Sequence, residues 1–512
     1  MLSTAQPVHG ERDTRFVEPA MTQVTACRST ASSEHSRDAA SSKFHLITES
    51  ALNGAEHAQD NWRQLEAAYR ARTPGSRERY ERALASLPGG DTRTGTFYLP
   101  YPTFMARGAG SRLWDVDGNE YIDCLSNFTS LVHGHAHPDV TRAIAEQAAL
   151  GTAHGAPIES QLALANAIRE RLPSVESLRF TNSGTEAAMM AIRAARAFTG
   201  RPKIVKMEGG YHGSYDAARV SAHPRVSDLV GPLFPLGEPD EPGLSPGAVA
   251  EVLVAPFNDV ETTAAIVRRH RHELAAVIVE PVMGAAGIIP AEPAFLAALR
   301  DVTHESGVLL ILDEVITLRL AWGGAQSLYG ITPDLTVLGK IIGGGLPVGA
   351  FGGRADVMAH YDPRRPDVIT HSGTFNGNAL TMAAGLATLR LLTPDVIGRI
   401  NTLGERLRQS LGAALAASRI IARVTGAGSL SHVHFTDHPV IDYRSAARAA
   451  EGAAPLLHLA LMNRGVFAAS RGMFITSSVM TDADIDQIAA SFADALGEAA
   501  STLTHAGTTV LA

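Results

Sequence analysis

Short, uninterrupted apolar runs alternate with helical patterns through the middle of this chain, and that alternation narrows the fold more than any other feature. Strand-like runs occur at residues 178–181, 203–207, 275–279, 308–312 and 335–338. Helical patterns fill residues 186–199 and 294–305, which end at Gly200 and near Gly307. Strands that are apolar along their whole length must be buried on both faces. The expected core is therefore α/β, a mostly parallel sheet covered by helices on both sides. Upstream, Trp62, Leu65, Ala68 and Tyr69 share one helical face. Residues 103–106 read as a strand, and residues 112–119 as a hairpin turned at Asp117-Gly118. Beyond about residue 392 the order becomes helix, strands, helix, which predicts a smaller α+β domain. The division read from these patterns has four parts. Residues 1–55 form a disordered N-terminal extension and 56–115 the N-terminal part of the small domain. Residues 116–392 form the large, ligand-binding domain and 393–512 the C-terminal small domain.

The first 55 residues are rich in Ser, Thr and Ala and carry no sustained periodicity. They lack the apolar segment of a secretory signal. The acids Glu11, Asp13, Glu18, Glu34 and Asp38, interspersed with arginines, disfavour a transit peptide. Met21 is a second candidate start. With 44 basic against 52 acidic residues and a formal net charge of -8, nothing points to a nucleic-acid partner. No apolar run approaches the ~20 residues of a membrane span. The two cysteines, Cys27 and Cys124, suggest a reducing, cytoplasmic setting, with Cys124 a buried small side chain.

Chemistry-bearing residues gather just past the strand ends, where open α/β sheets bind ligands. Ser183-Gly184-Thr185-Glu186 opens a helix. Its Ser-x-x-Glu spacing is either a plain capping box or an anion site built from free amides and hydroxyls. Asp313 follows five apolar residues. It either caps a turn or faces a cation such as a pyridinium nitrogen. Lys340 is either an exposed lysine beside a glycine turn or a desolvated amine able to form an imine and move a proton. Tyr211 either packs in the core or stacks on a ring. His133, His135 and His137 alternate, but no carboxylate or cysteine cluster accompanies them at useful spacing, and no metal site is expected. The glycine-rich residues 343–353 lack the strand–turn–helix context of a dinucleotide site.

Taken together these segments resemble the class III aminotransferases of pyridoxal-phosphate (PLP) fold type I, over roughly residues 60–495. The matching pieces are Asn182-Ser183-Gly184-Thr185-Glu186-Ala187, Gly210-Tyr211-His212-Gly213, Val279-Glu280-Pro281-Val282, Leu312-Asp313-Glu314-Val315-Ile316-Thr317, Leu338-Gly339-Lys340 and Ser372-Gly373-Thr374-Phe375-Asn376-Gly377-Asn378. The similarity is greatest to the glutamate-1-semialdehyde aminomutase branch and its β-amino-acid aminotransferase relatives. The resemblance implies that Lys340 is the Schiff-base lysine and that Asp313 pairs with the pyridinium nitrogen. It implies that Ser183, Gly184 and Thr185 hold the phosphate, and that Tyr211 and Val315 cover the two ring faces. His212 and Glu280 are implied to line the cofactor site. Thr374 is implied to reach the phosphate of a neighbouring subunit, hence a homodimer with shared sites. Gly134 to Pro138 is also a family feature.

Two departures bear on substrate. Aminomutases commonly read Asp-Glu-Val-Met-Thr-Gly-Phe-Arg where this chain has Asp313-Glu314-Val315-Ile316-Thr317-Leu318-Arg319-Leu320. Near the C-terminus they carry an acid in a Phe-Glu-Ala stretch. Here Ala469-Ser470-Arg471-Gly472-Met473-Phe474 resembles the Ser-Pro-Arg-Gly-Phe stretch of β-phenylalanine-type aminotransferases. Arg93 resembles that group's other substrate arginine. Each arginine is otherwise an ordinary surface residue; two together suit two carboxylate substrates taken in turn. The expected activity is ping-pong transfer of an amino group from an amino acid, with a β-amino acid as the expected donor class, to a 2-oxo acid. The alternatives are an aminomutase, which needs no second keto acid, and a non-catalytic paralogue.

Overall fold

The computed structural model describes residues 56–224, 236–418, 420–450 and 452–506. The expectations for residues 1–55 and for Cys27 lie outside them. Strands β1 (Met105–Ala109), β2 (Arg112–Asp115) and β3 (Glu120–Asp123) form an antiparallel meander. Then come β4 (Ser177–Thr181), β5 (Lys203–Met207), β6 (Val252–Ala255) and β7 (Leu274–Val279). A two-stranded ribbon, β8 (Val282–Met283) and β9 (Ile289–Pro290), precedes β10 (Leu309–Asp313), β11 (Leu335–Gly339) and β12 (Gly349–Gly353). The C-terminal part contributes β13 (Arg423–Ala427), β14 (Leu430–His434), β15 (Val466–Phe467) and β16 (Met473–Ile475).

The main sheet has seven strands in the order β4-β12-β11-β10-β7-β5-β6. Within it β12 runs antiparallel to both neighbours and the remaining pairs are parallel. The carboxyl ends of β4, β5, β7, β10 and β11 therefore open on one edge, with the predicted polar clusters just beyond them. All six residues of β7 and all five of β10 are buried, as continuous apolar strands require. The helix Gly184–Thr199 lies close on this sheet because Ala187, Ala188, Ala191, Ala194 and Ala195 face it without bulk.

β12 escapes a reading by composition, since glycine is a poor strand former. Its glycines are required by backbone proximity. A Cβ at Gly349 would sit 2.0 Å from the Ser183 carbonyl oxygen, and one at Gly353 would sit 2.1 Å from that of Asp334. The pairing Gly349↔Thr181 brings the loop after β4 onto this smooth strand.

A second core joins both ends of the described chain. Leu65 and Tyr69 of the helix Glu56–Arg72 pack with Leu407 and Leu411 of Pro394–Ser418, Leu457 and Leu461 of Ala453–Asn463, and Phe492 of Asp482–Ala506. Tyr121, Ile122 and Cys124 belong to the same core, and β15 pairs in parallel with β3. This packing unit thus reaches past residue 115, because the Asp117-Gly118 hairpin keeps β3 beside β2. Cys124 is fully buried, as its apolar context predicts. Among the described residues no single helix is long and apolar enough to cross a membrane.

Candidate active site

The helix Gly184–Thr199 begins at Ser183, whose Oγ accepts from the Glu186 amide at 3.2 Å. The reciprocal arm of a capping box is displaced by one residue, since Glu186 Oε2 accepts from the Asn182 amide at 2.8 Å. The first-turn amides of Gly184 and Thr185 have no intrahelical acceptor and point out of a helix start. Thr185 Oγ1 accepts from the Ser214 amide at 3.3 Å, which ties the loop after β5 to this turn. A Cβ at Gly184 would approach Val315 Cγ2 to 3.2 Å. A Cβ at Gly339 would lie 3.4 Å from Val315 Cγ1 and 3.6 Å from the Gly184 Cα. The ends of β4, β10 and β11 therefore converge around Val315.

Asp313 is the last residue of β10 and is buried. Its Oδ2 is 2.8 Å from His212 Nδ1, and its Oδ1 accepts from the Val315 amide at 3.1 Å. His212 is equally buried, and its Nε2 has no partner. Donation from Nδ1 to Asp313 leaves Nε2 as an unused acceptor. Glu280, just past β7, accepts from the Tyr211 amide at 2.9 Å and from the Gly284 amide at 3.1 Å. Burial pushes its carboxyl above the usual range, against the pull of His212 and with the support of Asp313's charge.

Lys340 follows β11 with φ +49°, a left-handed conformation that a side chain resists. Such strain clusters where structure over-determines a functional residue. Its ammonium has no hydrogen-bond or ion-pair partner among the described residues. Burial lowers its pKa from 10.5 to about 8; the charges of Asp313 and Glu280 oppose this, and Arg471 reinforces it. Tyr211 keeps 38% of its surface exposed, and its ring centroid lies 6.3 Å from that of His223.

Arg471 lies on the turn between Ala469 and Gly472 and retains solvent access, with no hydrogen bond or ion pair to any described residue. Surrounding protein nonetheless lowers its pKa, and Tyr211 opposes that shift. An accessible guanidinium enclosed by protein fits the wall of a cleft. Arg93 is exposed and donates to Asn127 Oδ1 at 2.9 Å, with its guanidinium 5.9 Å from the Phe128 ring centroid. Phe128 packs in the apolar cluster that also holds Ala469 and Ile316, so the Arg93 loop approaches the Arg471 turn. Thr374 stands apart on an exposed loop beside Phe375. That loop is fastened to the start of the phosphate-loop candidate by Asn182 Nδ2 donating to Asn376 Oδ1 at 2.9 Å. Asn376 and Asn127 were not singled out by sequence reasoning, although Asn376 lies inside a quoted motif. The three alternating histidines have different hydrogen-bond partners, although the His133 and His137 rings lie 5.6 Å apart. His133 contacts Ser478 and Thr388, His135 contacts Asp123, and His137 caps a helix.

The family model for class III aminotransferases matches residues 96–496. The chain belongs to the class III aminotransferases. It is 42% identical to the beta-phenylalanine transaminase of Variovorax paradoxus over 440 residues, covering 85% of this chain and 96% of that protein. It is 45% identical to a glutamate-1-semialdehyde 2,1-aminomutase of Roseiflexus castenholzii over 401 residues, covering 77% and 90% respectively. Among solved structures, an omega-transaminase from Sphaerobacter thermophilus superposes with a TM-score of 0.79 at 46% identity, over 83% of this chain and 98% of that one.

Class III aminotransferases use PLP, and the residues present fit that group. The amides of Gly184 and Thr185 offer donors to a phosphate, and a Cβ at Gly184 would encroach on Val315. Asp313 offers a fixed carboxylate, and Lys340 an unpartnered amine of lowered pKa. This enzyme is therefore a PLP-dependent aminotransferase of fold type I.

Proposed function

We propose that the enzyme moves an amino group from a β-amino acid to a 2-oxo acid in ping-pong fashion, with Lys340 as its proton-transfer residue. The observation that carries this reading is the unpaired Arg471 within electrostatic reach of Lys340. A guanidinium without an internal carboxylate suits a carboxylate substrate. The similarity to a beta-phenylalanine transaminase supports a β-amino acid as donor.

PLP, when bound, supplies an aldehyde that condenses with primary amines and a ring that withdraws electrons from the attached carbon. Asp313, held by His212 and the Val315 amide, would keep the ring nitrogen protonated. The hydroxyls of Ser183 and Thr185, with the first-turn amides, would anchor the phosphate. Val315 and Tyr211 would enclose the ring, and Glu280 would fix the Tyr211 backbone beside it. Lys340, with a pKa of about 8, is suited to take a proton from substrate carbon and return it. Arg93 would hold the carboxylate of the amino donor and Arg471 that of the 2-oxo acid. Thr374 and Phe375, exposed on their loop, would meet a second subunit in a homodimer. The low cysteine count supports a cytoplasmic setting.

The test is initial-rate kinetics with β-phenylalanine and a 2-oxo acid. Parallel double-reciprocal lines are expected; intersecting lines sink the ping-pong reading. An aminomutase is the second reading, favoured by the 45% identity to one. Conversion of glutamate 1-semialdehyde to 5-aminolevulinate without any amino acceptor would establish it. An arginine at 471 where aminomutases carry an acid argues against it.

A further inference from the structure

His432 lies in the middle of β14, paired across the strands with Met473. The residues just before Met473 are Arg471 and Gly472. The Arg471 turn is fastened to β14 at this point, since the Val433 amide donates to the Gly472 carbonyl at 2.9 Å. Gly472 has φ +99°, and a Cβ there would lie 3.5 Å from His432 Cε1. The imidazole therefore presents its Cε1 edge, flanked by both ring nitrogens, to the turn that carries Arg471.

That imidazole is buried, with 9% of its surface exposed, yet its Nδ1 has no hydrogen-bond partner among the described residues. Nδ1 is sealed and unpaired, whereas Nε2 is not sealed. Contrast His458, which is sealed at both nitrogens and packs edge-on against Tyr98 at 4.5 Å in the terminal core. His458 is a packing residue; His432 has an open polar end. The back of the His432 ring rests on His434, with centroids 4.2 Å apart. His434 in turn is fixed by Nε2 contacts to the Gly287 carbonyl at 2.9 Å and to Thr425 Oγ1 at 3.0 Å. The ring is thus braced from behind, with its Cε1 edge towards Gly472. Burial, then the neighbouring His434 and Arg471, holds it uncharged far below the usual histidine range, opposed in part by the Val433 carbonyl.

We infer that His432 is a specificity-determining residue, a neutral hydrogen-bond donor that acts with Arg471 on the carboxylate of the 2-oxo acid. The inference rests on the reading of Arg471 as the 2-oxo-acid arginine. A guanidinium offers two parallel donors in its plane and can leave carboxylate lone pairs unused. With Nε2 protonated, His432 donates to one of them and adds no charge. A neutral donor in this place favours a carboxylate while adding nothing to the repulsion of Lys340.

The experiment measures KM for the 2-oxo acid and for β-phenylalanine separately, in the holoenzymes of His432→Leu, His432→Gln and Arg471→Ala. The expected result for His432→Leu is a roughly 10-fold rise in KM for the 2-oxo acid, the loss of one hydrogen bond to a charged group. KM for β-phenylalanine and kcat should stay within about 2-fold. His432→Gln, which keeps a side-chain N–H donor, should recover most of the difference. Unchanged 2-oxo-acid KM in His432→Leu, an equal rise for both substrates, or no recovery in His432→Gln each overturns the role. If Arg471→Ala leaves the 2-oxo-acid KM unchanged, the underlying reading of Arg471 fails instead. If Arg471→Ala raises it and His432→Leu does not, only the inference about His432 fails.

Discussion

Asp313 Oδ2 and His212 Nδ1 lie 2.8 Å apart, joining the end of β10 to the loop after β5 in a space closed to solvent. The pair fixes the orientation of a carboxylate that would otherwise pay to be buried. Asp313→Asn keeps the shape and removes the charge. We expect kcat to fall by at least 100-fold, because a neutral amide no longer holds a ring nitrogen protonated. Cofactor retention, measured by dialysis and absorbance, should weaken far less. A variant with near-normal kcat would remove Asp313 from the chemistry.

Lys340 makes the cofactor-free protein's stability depend on alkaline pH. Its pKa is about 8 when folded against 10.5 ordinarily, so between those values the unfolded chain binds more protons. Stability from this group therefore rises with pH across that window and is at its lowest below about pH 8. Lys340→Met removes the titration. The variant should be more stable than the parent at pH 7 by roughly 1–3 kcal/mol, a gap that closes towards pH 10.5. Urea unfolding at several pH values reads this directly, and the same variant should be inactive.

Gly349→Ala would drive a Cβ into the Ser183 carbonyl. The loop that presents Gly184 and Thr185 must then shift. PLP affinity, followed by fluorescence titration, should drop at least 10-fold, with a stability loss of about 1–3 kcal/mol. Gly412→Ala is the control, since a Cβ there meets nothing within 4 Å and lies in the helix Pro394–Ser418. It should be neutral or stabilising by up to about 1 kcal/mol.

Arg319 is fully buried and donates to Ser429 Oγ at 2.9 Å, to the Thr129 carbonyl at 3.2 Å and to the Thr476 carbonyl. Arg319→Met leaves those acceptors unsatisfied, at a cost of about 2–4 kcal/mol. The consequences should extend further. Residues Ser126 to Thr129 all have positive φ, and this turn carries Asn127 to Arg93. KM for the β-amino acid should rise more than KM for the 2-oxo acid. Equal changes in both would confine Arg319 to a stabilising part.

The alternation of apolar runs and helical patterns made five of the main sheet's seven strands legible, but not β6 or β12. Leu335–Gly339 was anticipated to within a residue, and Lys203–Met207 at both ends. Chemistry placed past those ends was also readable, because parallel strands open on one edge. β12 was not readable, since its glycines report backbone proximity rather than strand preference. The reach of the terminal core past residue 115 was hidden for a related reason. Tyr121 and Ile122 look like any apolar strand residues, and their partner strand is β15. His432 carried no local signal at all: only the spatial meeting of β14 with the Arg471 turn separates it from a histidine packed in a core.

The pairing of Ile122 with Val466 has a consequence for synthesis on the ribosome. By the time β3 has emerged, the main sheet's strands are still to come, and β15 arrives after all of them. The main sheet can assemble while Tyr121 and Ile122 still lack their neighbours from β15 and the C-terminal helices. Nascent chains stalled before Val466 should therefore display an apolar patch and recruit chaperones, and the final stretch of translation is what conceals it.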